Sequence, residues 1–210
     1  MKNIILMCVI FFLISCSTDD AITTNGFEEI TERYPFNDLD PIVATDYWEL
    51  NYVLVNGRDD NDEKIIAQKG ILCENAEKPL CEEKFKELNP DFGFAPGCLP
   101  GLCYFYLKYQ ADTQNHLVAS KDQLLEFLGP INTKEEALLW TRANNYHFQV
   151  DNIDAGAIKA TDSNFELIVL KTVSYCTPVQ SNRYHLKVKP NGDIEVLKEE
   201  VFSVDENSCV

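Results

Sequence analysis

LCYFYLKY, residues 102–109, is the most β-like run in the chain, and four of its eight residues are aromatic. Aromatic and β-branched side chains favour strands, so we expect a central strand here. Because successive strand side chains point to opposite faces, Tyr104 and Tyr106 share one face, while Phe105 and Tyr109 share the other. This alternation predicts core packing on both faces; the alternative is an exposed aromatic platform for a sugar or a peptide.

Further strands are predicted on both sides of this run. Each is marked by aromatic and β-branched residues, or by alternating apolar and polar residues. Their ranges are Tyr47 to Val55, Lys64 to Cys73, His116 to Ala119, Tyr146 to Val150, Phe165 to Tyr175, Arg183 to Lys189 and Asp193 to Phe202. Pro190-Asn191-Gly192-Asp193 is a strong hairpin signal between the last two strands. Pro90 to Gly101, rich in proline and glycine, is predicted to be a loop.

Three helices lie between the predicted strands. The first runs from Pro79 to Leu88, with proline in the first turn, where its missing N–H costs nothing. The second runs from Ser120, a suitable N-cap, to Leu128. Thr133 and Glu136 form a capping box for the third, which continues to about Asn145.

This order of elements predicts an α+β fold. It consists of an antiparallel β-meander with two or three helices packed on one face, stabilised by disulfides. Residues 1–15 are predicted to be a lipoprotein signal peptide, and residues 16–46 a lipidated cysteine followed by an acidic tether and lead-in. Residues 47–210 are of a suitable size for a single domain.

The leader has the parts of a bacterial secretory signal. Lys2 supplies the positive charge, and Ile4 to Ile14 is an apolar segment too short for a bilayer-spanning helix, which needs about 20 residues. Leu-Ile-Ser before Cys16 matches a lipobox, after which Cys16 becomes the lipidated N-terminus. Two or more acyl chains such as palmitate give a stable anchor. A cleaved signal without lipid is the alternative.

The residues after Cys16 indicate a cellular location. Cys16-Ser17-Thr18-Asp19-Asp20 resembles the N-terminus of Bacteroidetes-type surface-exposed lipoproteins, in which acidic residues after the lipidated cysteine act as an export signal. The resemblance implies an outer-membrane protein, lipid-anchored and exposed at the cell surface. A solvated acidic tether without an export role is the alternative.

The remaining six cysteines are expected to form disulfides, because an even number in an oxidising compartment indicates cross-links. The candidates are Cys73, Cys81, Cys98, Cys103, Cys176 and Cys209. Pro100-Gly101 suits the centre of a turn between Cys98 and Cys103, so these two are predicted to pair. Cys176 with Cys209 and Cys73 with Cys81 then remain, although a crossed pairing among the four cysteines from Cys73 to Cys103 stays open.

The acidic composition limits the partners. A formal charge of −16 repels phosphate backbones, so we expect no nucleic-acid partner. Cationic ligands, basic protein patches and calcium remain possible, with Asp59-Asp60-Asn61-Asp62-Glu63 as an oxygen-rich loop. That loop lacks the central glycine and distal glutamate of an EF-hand, so a solvated hairpin tip is the preferred interpretation. Neither a metal site nor a cofactor is predicted.

Catalytic motifs are not evident in the sequence. The three histidines, His116, His147 and His185, lie outside any Gly-x-Ser-x-Gly motif, and the cysteine spacings match no zinc site. His147 and His185 lie in strand-like runs, where a half-exposed structural histidine is the usual finding. An enzyme is therefore not favoured, although sequence leaves the question open.

One further resemblance concerns the C-terminal part. Ile131 to Ala137, a capped helix, followed by Arg183 to Val188 and Asn191 to Ile194, a hairpin, resembles the layout of PepSY-type modules. These are small exported α+β units linked with protease regulation. The resemblance implies a possible protease inhibitor and carries over no catalytic residues.

Taken together, these features predict a non-enzymatic binding or envelope accessory protein, held to the membrane through Cys16, for which we expect a protein partner in the envelope. A hydrolase or carbohydrate-binding factor is the first alternative. Protease inhibition is the second.

Overall fold

The computed structural model describes residues 21–55, 61–98 and 101–209. The predicted signal, Cys16, Asp19 and Asp20 lie outside the described residues, as do Asp59, Asp60 and Pro100. The described chain forms the predicted α+β fold, with antiparallel sheets, three helices and three disulfides.

The elements follow one another in mixed order along the chain. The strands are β1 (Glu28–Glu29), β2 (Tyr47–Val55), β3 (Asn61–Gly70), β4 (Phe94–Gly97), β5 (Leu102–Ala111), β6 (Gln114–Val118), β7 (Ala157–Ala160), β8 (Phe165–Tyr175), β9 (Val179–Val188) and β10 (Ile194–Asp205). The helices are α1 (Lys78–Lys86), α2 (Lys121–Leu128) and α3 (Lys134–Ala143). Sheet 1 has the order β3-β2-β5-β4, with β6 also paired to β5, and sheet 2 has the order β1-β7-β8-β9-β10.

β5 is the central strand of sheet 1, as its composition predicted. Phe105 and Leu107 face the main core, while Tyr104 and Tyr106 belong to a separate cluster with Val53 on the other face. Tyr104 and Tyr106 are only 5% and 1% exposed, so they pack in the protein and do not form an exposed platform. Strong β-propensity and burial on both faces explain why this strand could be recognised from sequence.

α2 and α3 lie between the two sheets and contribute to their shared core. Ser120 and Thr133 cap these helices as predicted; the capping box at Thr133 was expected, whereas the one that Gln123 completes at Ser120 was not. Trp140 of α3 donates its indole N–H to Gly192 O in the β9–β10 turn, at 2.7 Å. α1 instead packs on the opposite face of sheet 1, where Phe85 meets the ring of Tyr47.

Two predicted segments differ in type from the structure, and the bounds of β3, β6, β9 and β10 differ from the predicted ones by one to four residues. The loop predicted from Pro90 to Gly101 contains β4, which is too short to have a strong strand pattern. Residues 146–150 form no strand and contribute a single β-bridge, between His147 and Leu170. The reason is local: the Tyr146 N–H bonds to Thr141 O at the end of α3, so the chain is still leaving the helix.

The chain before Tyr47 is part of the folded unit. Ile30, Phe36 and Leu39 are buried in the main core, and Ile22 packs against Ile168 on the outer face of sheet 2. Arg183 binds the Ile22 carbonyl and also pairs with Glu200, which accepts the Ile22 N–H. Residues 22–46, predicted as tether and lead-in, therefore wrap around both sheets.

Each predicted disulfide pair is joined. The bonds are Cys73–Cys81, Cys98–Cys103 and Cys176–Cys209. The Cα atoms of Cys98 and Cys103 are 5.4 Å apart, which is the separation a bridge across a tight turn requires. The crossed pairing among the four cysteines from Cys73 to Cys103 is therefore not formed. The Cys176–Cys209 bond joins the C-terminal segment to the end of β8.

Candidate functional site

A cleft of about 640 Å³ opens between the two sheets, at the end where β4, the C-terminus of α3 and β8 come together. We refer to it as the cleft. Its lining residues are Arg33, Tyr34, Tyr52, Ala95, Pro96, Gly97, Cys98, Leu102, Cys103, Phe105, Arg142, Asn145, Tyr146, His147, Lys171, Thr172 and Tyr175.

The charge of the cleft is opposite to that of the chain. The chain has 34 acidic and 18 basic residues, yet the described lining contains Arg33, Arg142 and Lys171 and no aspartate or glutamate. None of these three cations is ion-paired with another described residue. The cleft is therefore a local region of positive potential in an acidic protein.

Arg142 is the most deeply placed of the three. It lies in the last turn of α3, and its guanidinium carbon is 5.1 Å from the ring centre of Phe148 and 5.9 Å from that of Phe105. Its Nε atom is buried and has no hydrogen-bond acceptor among the described residues. Burial lowers the pKa of Arg142, and the positive charge of Arg33 acts in the same direction. The site thus holds a desolvated cation whose donors are not fully used.

The other two cations rest on aromatic rings. The guanidinium carbon of Arg33 is 5.5 Å from the ring centre of Tyr34, and Lys171 Nζ is 4.9 Å from that of Tyr146. Such cation–π contacts orient a charge without neutralising it. Both cations therefore line the cleft without an ion-pair partner among the described residues.

Aromatic side chains form one wall of the cleft. The ring of Tyr52 lies 5.8 Å from that of Tyr34 and 5.2 Å from that of Phe105. The Tyr52 hydroxyl is 3.2 Å from Cys98 Sγ, so the Cys98–Cys103 disulfide forms part of the rim. This wall presents flat apolar surface together with phenolic hydroxyls.

His147 is the only one of the predicted histidines that lines the cleft in the described structure. Burial, together with the nearby Arg142, lowers the pKa of His147 to about 4, so its ring is neutral at neutral pH. Its backbone is fixed by two hydrogen bonds to Leu170. His185 instead bonds to Glu166 at 3.0 Å, and His116 stacks on Tyr109.

The remaining candidates from sequence are not assembled into a site. Among the described residues, no group of three or more histidine, cysteine, aspartate or glutamate side chains is placed to hold a metal ion. Asp62 and Glu63 lie in β3, whereas the first two residues of the oxygen-rich loop are outside the described ranges. A shallow depression of about 690 Å³ beside Leu125 and Pro190 is lined by the acidic residues Asp122 and Glu126.

The cleft was not predicted from the sequence. Arg33, Arg142 and Lys171 come from three separate parts of the chain, and none lies in a recognisable motif. One available signal was Arg142 itself, because it follows a run of core-facing residues on α3. A cation on the buried side of an amphipathic helix indicates either a partner or a site.

No protein-family model, curated protein or solved structure matches the chain. In the described residues, none of the helices is long and apolar enough to cross a bilayer.

Proposed function

We propose that this protein is a lipid-anchored envelope protein of the outer membrane, exposed at the cell surface, whose domain binds an anionic ligand in the cleft without transforming it. The anchor is the lipidated Cys16 expected from the leader. The observation that supports an anionic ligand is the described lining of the cleft, which has three cations and no carboxylate. Sequence had favoured a binding protein and left the ligand open.

Desolvated guanidinium groups favour a carboxylate, phosphate or sulfate. A planar guanidinium can donate two parallel hydrogen bonds to such a group, and these bonds are strongest where water is excluded. Arg142 meets both conditions, because its guanidinium packs against two aromatic rings and makes no side-chain hydrogen bond or ion pair to a described residue. The net charge of −16 opposes long polyanions, so the ligand carries few charges.

Binding is better supported than hydrolysis. Nucleophilic hydrolysis needs a nucleophile, a base and a group that orients the base. His147 is neutral, but its side chain has no carboxylate beside it in the described lining. The single hydroxyl of Thr172 and the phenols do not complete such a set.

Carbohydrate binding is the second candidate, because Tyr34, Tyr52, Tyr146 and Tyr175 line the same cleft. A sugar ring can stack on such rings, and an acidic sugar would also satisfy the cations. A PepSY-like inhibitor role stays a prediction that rests on the sequence resemblance.

The first test is thermal unfolding with small anions. Benzoate, glucuronate, phosphate and sulfate are added separately to the mature protein, and saturating binding of one of them is expected to raise Tm by roughly 5 to 10 °C. In Arg142→Met the increase is expected to fall to less than a third, because the deepest donor is lost. Lys187→Met removes a cation outside the cleft and is expected to behave as wild type. Unchanged Tm with all four anions contradicts the proposed ligand class.

The second test concerns the anchor. Protein purified from cell envelopes is expected to begin at Cys16 and to carry several acyl chains in intact mass spectrometry. Cys16→Ser is expected to abolish that mass increment and release the chain from membranes. Deletion of Asp19 and Asp20 is expected to protect it from protease added to whole cells. An intact leader, or a terminus without lipid, would rule out the anchor.

A further inference from the structure

We infer that the ligand of the cleft is an extended peptide segment with one or two acidic side chains, which adds as a strand to the open edge of β8. This inference rests on the proposed function and specifies its ligand. It follows from a second feature of the cleft, the backbone of its floor.

β8 has a free edge where it borders the cleft. On one side it pairs with β9 from Phe165 to Tyr175. On the other side β7 covers only Phe165 to Ile168, and a single bridge to His147 follows at Leu170. Beyond that bridge, no described residue pairs with this edge of β8.

The direction of the backbone groups can be derived from that bridge. Leu170 donates its N–H to His147 O at 2.7 Å and accepts the His147 N–H at 2.8 Å, so both of its polar groups point away from β9. Along a strand these directions alternate with a period of two residues, and the register shift between β8 and β9 comes only after Thr172, between Thr172 and Ser174. The N–H and C=O of Thr172 therefore also point away from β9, toward the cleft that Thr172 lines.

The chain itself does not cover this edge. Continued antiparallel pairing would place Asn145 opposite Thr172. Asn145 instead adopts a left-handed conformation with φ of 65° and bonds back to Arg142 O at the end of α3. The helix end thus leaves a gap beside Thr172 into which another strand can fit.

The opposite wall offers no comparable edge. β4 lies across the cleft and contains Pro96, which has no N–H to donate. Ala95 has a left-handed φ of 54°, which interrupts a regular ladder. A peptide in the cleft therefore pairs with β8, and its side chains alternate between the cationic interior and the rim.

The side chains around the edge define the sequence of the peptide. Lys171 precedes Thr172 in β8, and Arg142 and Arg33 line the interior, so a residue that points inward is acidic. Tyr175 also lines the cleft and is 50% exposed, so an apolar neighbour of the acidic residue is favoured. Backbone hydrogen bonds supply affinity and alternate side chains supply specificity in this mode of recognition.

The test begins with selection from a displayed library of random octapeptides on the mature protein with its disulfides formed. Selected sequences are expected to contain aspartate or glutamate at one common position, at least threefold above the library frequency. Selection on Arg142→Met is expected to lose this enrichment. Lys187→Met is the matched control and is expected to retain it.

The strand geometry is tested with the best selected peptide. N-methylation is carried out at each residue in turn, and binding is measured by calorimetry. Methylation of the residue that pairs with Thr172 is expected to raise Kd at least tenfold. Methylation of its immediate neighbours is expected to raise Kd less than threefold. Thr172→Pro removes the unpaired backbone N–H of Thr172 and is expected to raise Kd by a similar factor. If that variant fails to fold, the methylation series alone decides.

Other results would overturn the inference. A flat methylation series, or a library without acidic enrichment, excludes strand addition by an acidic peptide. If glucuronate raises Tm while no peptide binds, the ligand is a sugar acid and the anion site of the proposed function survives. If neither peptides nor small anions bind, the proposed function fails as well.

Discussion

Glu49→Ala is expected to lower the free energy of unfolding by about 3 to 5 kcal/mol, because it leaves a buried lysine without its counter-ion. Glu49 Oε1 lies 3.1 Å from Lys108 Nζ, and the side chains are only 8% and 6% exposed. The same carboxylate accepts hydrogen bonds from the Tyr47 hydroxyl at 2.8 Å and from Asn51 Nδ2 at 3.1 Å. The measurement is denaturant unfolding at neutral pH with disulfides intact.

The controls distinguish the loss of a buried ion-pair partner from the loss of any acidic side chain. Glu195→Ala removes one partner of an exposed pair, whose atoms are 3.7 Å apart, and is expected to cost less than about 1 kcal/mol. The double variant Glu49→Met, Lys108→Met removes both charges and is expected to recover most of the loss. A single-variant cost below about 1 kcal/mol would show that Lys108 finds water or another partner.

Glu136→Ala is expected to cost about 3 to 4 kcal/mol, which is the second largest effect. Glu136 is fully buried at the start of α3. Its carboxylate accepts the backbone N–H of Asp40 at 2.9 Å, of Asn132 at 2.7 Å and of Thr133 at 3.0 Å. A donor left without its acceptor costs roughly 1 to 3 kcal/mol, and these three donors are only part-buried, so each is expected to cost about 1 kcal/mol.

Glu135→Ala provides a matched control one residue away. Glu135 lies in the same first turn, but the structure gives its side chain no hydrogen bond to a described residue. Its replacement is expected to change the free energy of unfolding by less than about 0.5 kcal/mol. Glu136→Gln, which retains an acceptor oxygen, is expected to fall between the two alanine variants. Equal costs for Glu135→Ala and Glu136→Ala would contradict the capping role of Glu136.

These two acids also show why an acidic chain can have a cationic cleft. Glu49 and Glu136 are both buried inside the fold. Glu49 forms an ion pair with Lys108, and Glu136 accepts hydrogen bonds from backbone N–H groups. Arg33, Arg142 and Lys171 receive no such partner within the described chain and rest on aromatic rings instead. The positive potential of the cleft therefore results from how the charges are distributed, since the total charge has the opposite sign.

Local sequence determined the elements whose stability depends on neighbouring residues. β2 and β8 have the predicted bounds, because long runs of aromatic and β-branched residues specify a strand wherever they pack. Ser120 and Thr133 cap their helices through contacts three residues away. Cys98 and Cys103 pair across a tight turn for the same reason, since the turn brings their Cα atoms together.

Tertiary structure alone decided the rest, because the contacts involved join residues that are distant in the chain. β1, β4 and β7 are too short to have a clear pattern: β4 and β7 pair with the long strands β5 and β8, and β1 pairs with β7. Residues 22–46 could be placed only by the core that covers Ile30, Phe36 and Leu39. The cleft has the same origin. Arg142 could be suspected from its place on α3, but its packing against two rings and the open edge at Thr172 depend on segments that are distant in the chain.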